Sequence, residues 1–203
     1  LVINLKRFLS EKPAALMVHG NSKFPFDVLD SLPEETQLIF IQDFEGPEEL
    51  PASYVLSDFS AGGYDVAKHL LKLGRRKILI DTFEAKPAWT SGRYAAGVRK
   101  ALEETGLEPF GHVDFTQMEE SDWKKLFGAL HVPDAIVSIG DYRLRLCLPF
   151  LKKQGLRVPE DVALIGYFNT PWAETCGFTS VCIRQEDIVR TAWECLDSGE
   201  DRT

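Results

Sequence analysis

Short, unbroken apolar runs alternate with amphipathic helical stretches along the whole chain, and this pattern more than any other restricts the folds open to it. The runs are Ala14–Val18, Leu38–Ile41, Tyr54–Leu56, Lys77–Ile80, Ala135–Ile139, Val162–Gly166 and Ser180–Ile183. They are continuous rather than alternating, as expected for parallel strands covered on both faces. Between them Leu144, Cys147, Leu148 and Leu151 recur at helical spacing, as do Ile188, Val189, Ala192, Trp193 and Leu196. A further helix runs from about Gly63 with Val66, Leu70 and Leu71 on one side. Leu73-Gly74, Thr105-Gly106 and Gln154-Gly155 read as helix ends closed by a left-handed glycine. Repeated β-α-β order of this kind implies doubly wound parallel sheets with right-handed crossovers.

In such sheets ligands bind beyond the carboxyl ends of the strands, at a point where strand order reverses. Function is therefore to be sought just after each run: at His19, Gln42 to Phe44, Ser57 to Phe59, Asp81 to Phe83, Gly140-Asp141 and Tyr167 to Asn169. These positions and their surroundings offer rings together with polar groups: Phe59, Trp89, Tyr94, Trp123 and Phe168, with Asp58, Ser91, Arg93, Asp141 and Asn169. Flat rings and a few oriented polar groups hold a sugar or a nucleobase in a cleft, although each of these rings fits a core equally well. Asp141 fits a ligand contact or a helix cap.

Catalysis finds little support. His19 follows a strand without a G-x-S-x-G nucleophile turn, His69 lies mid-helix, and His112 and His131 stand near element ends. No histidine spacing or carboxylate cluster suggests a metal, and no cofactor is expected. Gly62-Gly63 lacks the spacing of a dinucleotide loop and reads better as a helix entry capped by Ser60 than as a phosphate cradle. The 23 basic and 31 acidic side chains leave a net charge of -8, so this segment is not expected to hold DNA alone. The run Lys72–Lys77 is better explained as a helix-to-strand connection. Four cysteines without metal spacing, three within apolar patterns, read as reduced, buried thiols of a cytoplasmic protein. No run approaches the roughly 18 apolar residues of a membrane span, and no signal pattern opens the chain.

Several segments together resemble the lactose-repressor/galactose-repressor (LacI/GalR) family. Leu56–Phe59, Ala61–Gly63 and Ala67–Ile78 carry the likeness, as do Ser91–Gly97 and Lys100–Leu107. The most specific stretches are Pro133–Ile136 to Gly140-Asp141 and Gly155–Tyr167, followed by Thr179–Val181 and Arg184-Gln185. The resemblance implies a two-lobed, periplasmic-binding-protein-like (type I) α/β fold with the N-terminal lobe incomplete. Residues 1–57 plus 185–203 would form that lobe and 58–184 the C-terminal one. It implies a non-enzymatic effector sensor of a transcriptional repressor, binding a sugar or related metabolite between the lobes. Homodimerisation and operator binding through a headpiece absent from this sequence complete the picture; the alternative is a periplasmic solute-binding protein of a transporter. The chain is expected to be cut at both ends. The ligand contacts carried over are Asp58, Phe59, Ser91, Arg93, Tyr94, Trp123, Gly140, Asp141, Phe168 and Asn169. Tyr94, Gly140 and Phe168 stand where sugar-responsive members place Arg, Asn and Asp, and Arg93 is one helical position, about 100°, out of place. A less polar pocket centred on Tyr94, Trp123 and Phe168 is therefore expected.

Overall fold

A computed structural model of the chain describes residues 2–21, 25–44, 52–83, 90–128 and 132–198. Trp89 and His131, singled out above, lie outside these residues. The chain divides into two units, Leu1–Ser57 with Arg184–Thr203, and Asp58–Ile183.

In the first unit three parallel strands, β1 (Ala15–Asn21), β2 (Gln37–Phe44) and β3 (Ser53–Val55), pair in the order β1-β2-β3. The continuous apolar run on β2 is explained by burial on both faces. Leu38 and Phe40 pack with Leu16, Val18, Val28 and Leu9 of the first helix, α1 (Val2–Ser10). Ile39 and Ile41 point the other way, to Val55, Ala192 and Cys195. Gln42 Nε2 donates to Gln185 Oε1 at 3.1 Å, tying the end of β2 to the last helix.

The second unit follows the order α2 (Phe59–Lys72), β4 (Ile78–Asp81), α3 (Thr90–Glu103), β5 (Gly111–Val113), α4 (Glu120–Gly128) and β6 (Ala135–Ser138). It continues through α5 (Asp141–Leu144), α6 (Leu148–Lys153), β7 (Ala163–Tyr167), α7 (Pro171–Cys176) and β8 (Thr179–Val181), before α8 (Gln185–Ser198) returns the chain to the first unit. Its five strands are parallel in the order β5-β4-β6-β7-β8, so the chain winds one way from β4 to β5 and the other way from β6 to β8. Alternate residues again feed two cores. Ile78, Ile80, Val137 and Ile165 face Val66, Leu70, Val98 and Leu102 of α2 and α3. Leu79, Ile136 and Leu164 face Trp123, Phe127, Leu144 and Leu151 on the other side.

The three expected glycine stops hold: Gly74, Gly106 and Gly155 have φ of 84°, 70° and 69°. Other expectations need correction. The helix placed at about Gly63 begins at Phe59, and its cap is Asp58, whose side chain accepts from Ala61 N at 2.9 Å, rather than Ser60. The single helix read through Leu144–Leu151 is two, because Pro149 has no N–H to continue the ladder and stands in the first turn of α6 instead. Strand β5, only three residues long and without an apolar run, was not anticipated. Of the cysteines, Cys147 and Cys195 are buried, Cys176 is partly exposed and Cys182 is exposed. The basic run before β4 is structural: Arg75 Nη2 donates to the carbonyls of Pro159 and Glu160, and Arg76 Nη1 to that of Leu71.

Gly62 and Gly63 lie inside α2 and serve packing. A Cβ on Gly63 would strike the Tyr94 carbonyl oxygen, and one on Gly97 would strike the carbonyl oxygen of Ser60. Each of the two helices thus brings a glycine to the crossing, and the backbones approach without side chains between them. Gly97→Ala is expected to force the crossing apart and cost about 1–3 kcal/mol or more, read as a lower urea midpoint at unchanged slope.

Candidate functional site

The reversal of strand order lies between β4 and β6, where Asp81 and Ser138 are register partners and the last residues of their strands. Both are fully buried. A buried carboxylate at this place requires partners, and it accepts four hydrogen bonds from three residues. Asp81 Oδ2 accepts from Ser138 Oγ at 2.6 Å and from Arg143 Nε at 2.9 Å. Its Oδ1 accepts from Arg143 Nη2 at 2.7 Å and from Phe115 N at 2.8 Å. Arg143, the third residue of α5, is itself 0% exposed and also donates through Nη2 to Asp114 Oδ1 at 2.7 Å. Burial works against its charge, but the hydrogen bonds and fields of Asp81 and Asp114 override that and raise its proton affinity. Burial alone would raise Asp114 as well; hydrogen bonds from Thr116 and Arg143 instead hold it below the ordinary carboxylate value.

Beside this group opens a cleft of about 1040 Å³, lined among others by Thr82, Phe83, His112, Asp114, Met118 and Leu126. Its size suits a metabolite. The Phe83 ring covers the Arg143 guanidinium, 4.2 Å from the ring centroid. Arg99 Nη2 lies 2.8 Å from His112 Nδ1, and because arginine has no acceptor, that nitrogen must accept. Nε2 then carries the proton and donates to Thr82 Oγ1 at 2.5 Å, while the Thr82 hydroxyl donates to the Phe83 carbonyl. Burial, and then the neighbouring Arg99 charge, lower the proton affinity of His112.

A second polar group lies on the other side of α5. Asp141 Oδ2 accepts from Thr170 N at 2.6 Å and Thr170 Oγ1 at 2.9 Å, and Oδ1 accepts from Ser180 Oγ at 2.6 Å. It therefore clamps the turn after β7 to β8; α5 has Gly140 at its N-cap and no side-chain cap. Within the turn Phe168 and Asn169 adopt φ of 86° and 46°, a conformation uncommon for residues with side chains. It is fixed by hydrogen bonds from Phe168 N to Val181 O and from Asn169 N to Ser180 Oγ.

The ten residues carried over from the resemblance fall into separate places. Phe59 and Phe168 pack around Tyr167, with ring centroids 5.6 and 5.5 Å from it, and Tyr94 meets the same ring edge-on at 5.4 Å. Tyr94 is fully buried, its hydroxyl lacks a hydrogen-bond partner, and burial raises its proton affinity. Trp123 does not join them. It stacks on Phe150 at 4.7 Å in the core on the opposite face of the sheet, 5% exposed, so Tyr94, Trp123 and Phe168 do not form one constellation. The α4 helix that carries Trp123 presents Asp122, Lys125 and Leu126 to the cleft instead. Ser91 is buried; Asp58, Arg93 and Asn169 are exposed; Gly140 and Asp141 lie at the start of α5. Arg143 and Asp114 were missed. Arg143 sits in a helix read as apolar, and Asp114 follows a strand with no apolar run to announce it.

A family described as a periplasmic binding protein-like domain matches residues 67–201. The HTH-type transcriptional regulator DegA of Bacillus subtilis is 32% identical over 130 residues, covering 62% of this chain and 38% of its own. The HTH-type transcriptional repressor PurR of Aliivibrio salmonicida is 27% identical over 169 residues, 80% of this chain and 50% of its own. The chain thus spans half or less of the length of these two curated relatives. The crystal structure of a LacI transcriptional regulator from a Rhodococcus species superposes with a TM-score of 0.77 at 22% identity, over 98% of this chain and 75% of that one.

Two measurements probe the site. Arg143→Met leaves Asp81 buried and charged without its counter-ion and is expected to cost about 3–5 kcal/mol in denaturant unfolding. The double variant with Asp81→Asn is expected to recover part of that loss. His112 has a lowered folded value, so its contribution is fully present above the ordinary imidazole value of 6.5 and is lost as pH falls below it toward the folded one. The melting temperature of the wild type is expected to fall through that window more steeply than that of His112→Gln.

Proposed function

Because this chain belongs to the periplasmic-binding-protein-like domain family, we propose that it is an effector-binding domain of the lactose-repressor/galactose-repressor type, the sensing part of a transcriptional regulator that binds a small metabolite and controls operator DNA binding by a separate headpiece. Residues 1–57 with 185–203 would form one lobe and 58–184 the other. The intact regulator would work in the cytoplasm as a homodimer, without turnover of its effector.

The observation that carries this reading is the polar group at the strand-order reversal. In an α/β hydrolase or transferase this is where a nucleophile and its base would stand. Here the carboxylate at that point is bound on both oxygens by Arg143, Ser138 and a backbone amide. A fully paired acid does not abstract protons, whereas a rigid, hydrogen-bonded floor beside a metabolite-sized cleft suits reversible binding. Of the carried-over residues, Asp58, Arg93 and Asn169 offer exposed polar groups to an effector at the ends of the strands. Such an effector shifts the regulator between two conformations only by its difference in affinity for them, commonly about 1–3 kcal/mol.

The test is a thermal-shift screen of the chain against sugars, sugar acids, sugar phosphates, nucleosides and nucleobases. A binder at about 100 times its dissociation constant is expected to add roughly 2.7 kcal/mol, a rise of a few degrees. Silence across the panel from protein with a cooperative melt, or product formation from any member, overturns the reading.

A further inference from the structure

Strand β5 has few means of holding its place. It is three residues long, stands at the end of the sheet and pairs, among the described strands, with β4 alone. Its middle residue, His112, is exposed, yet both ring nitrogens are engaged. Nδ1 accepts from Arg99 Nη2 of α3 at 2.8 Å, and Nε2 donates to Thr82 Oγ1 just past the end of β4. The Thr82 hydroxyl extends the series to the Phe83 carbonyl. One imidazole thus ties α3, β5 and the turn after β4 to one another.

The Arg99 contact exists only while Nδ1 keeps its lone pair. Arginine donates and never accepts, so a proton on Nδ1 would set two donors and two positive charges against each other across a 2.8 Å contact. The Thr82 contact survives that proton, because Nε2 donates in both states. The other charges around the ring do not replace the lost partner. Asp81 of β4 and Asp114 beyond β5 attract a protonated ring, but both are hydrogen-bonded to Arg143. Asp122 and Lys125 of α4, which also line the cleft, stand 4.0 Å apart and offset one another. Exposure of His112 lets the proton arrive from solvent without any opening of the fold. We infer that His112 is a proton-released latch between α3 and the edge strand β5: the neutral ring holds Arg99, and the protonated ring repels it and frees β5 to part from α3. Because His112, Thr82 and Phe83 line the cleft, its wall loosens with the latch. Latching and protonation oppose one another, so the latched form binds its proton less readily than a free imidazole does. That is the direction in which burial and the Arg99 charge together move His112.

The experiment follows the full chain by NMR from about pH 8 to about pH 5, the range in which imidazoles titrate. At the alkaline end the His112 ring is expected as the Nε2–H tautomer, with protonation centred below the ordinary imidazole value of 6.5. The amides of Phe110 and Thr82 bond to Ile78 O and Val113 O across β4 and β5, and their protection from hydrogen exchange is expected to fall with the same midpoint. Each pH unit by which latching lowers that midpoint makes release about tenfold easier in the protonated protein, and the loss of protection is expected on that scale. Arg99→Gln keeps a donor without the charge and is expected to move the midpoint up toward 6.5. Arg99→Met, with no donor, is expected to show the low protection at every pH. The Nδ1–H tautomer overturns the latch, as does a ring that titrates without any change in the two amides. An Arg99→Met protein with an unchanged circular dichroism spectrum and the wild-type pH dependence of both amides also overturns it. The latch involves no ligand, so its failure leaves the sensor reading untouched.

Discussion

A guanidinium buried without solvent must be surrounded by acceptors or the fold loses more than the charge can return. Arg143 meets that condition at Nε and Nη2 by drawing on separate stretches of chain: its own short helix after β6 carries it to the last residue of β4 and to the residue after β5. None of these is close to the others in sequence. Their convergence fixes where β4, β5 and β6 end relative to one another, and so fixes the floor of the cleft. The hydroxyl of Ser138 and the amide of Phe115 complete the set, leaving Asp81 no free oxygen. The apolar layers above and below the sheet supply most of the driving force for folding, but they are indifferent to a shift along the strands; the ion pair is not.

The helix pair on one face of the same unit is organised by backbone proximity instead. Gly63 and Gly97 let α2 and α3 touch at their peptide groups, which brings Tyr94 under the sheet end and against Tyr167. The cost of that closeness is visible in the Tyr94 hydroxyl, buried with no partner. Here the position that a family pattern assigns to a long cationic side chain holds a ring that lies inside the core.

The architecture was legible because parallel strands covered on both faces leave continuous apolar runs, and because Gly74, Gly106 and Gly155 mark helix ends whatever lies around them. Strand β5 escaped because three residues, one of them His112, carry no such run; β4 supplies its pairing. The site was less legible. Asp81 fell among the positions just after a strand, but neither its role nor its partner could be read. An arginine beside Leu144 looks like any solvated helical charge until the tertiary structure turns it inward. Trp123 illustrates the converse. Its ring matched a stacking position by sequence, yet helix α4 directs it between Phe150 and Phe127, because a large apolar ring gains more from a layered core than from a wet cleft.

Helix α5 is a single turn of four residues, too short to hold its own place by backbone bonding. Two side chains moor it, in opposite directions: Arg143 to Asp81 and Asp114, Asp141 to Thr170 and Ser180. The turn is strung between two tethers, one to the β5 side and one to the turn that carries Phe168 and Asn169 on the β8 side. Two margins of the sheet that share no strand pairing are mechanically joined through one turn of helix.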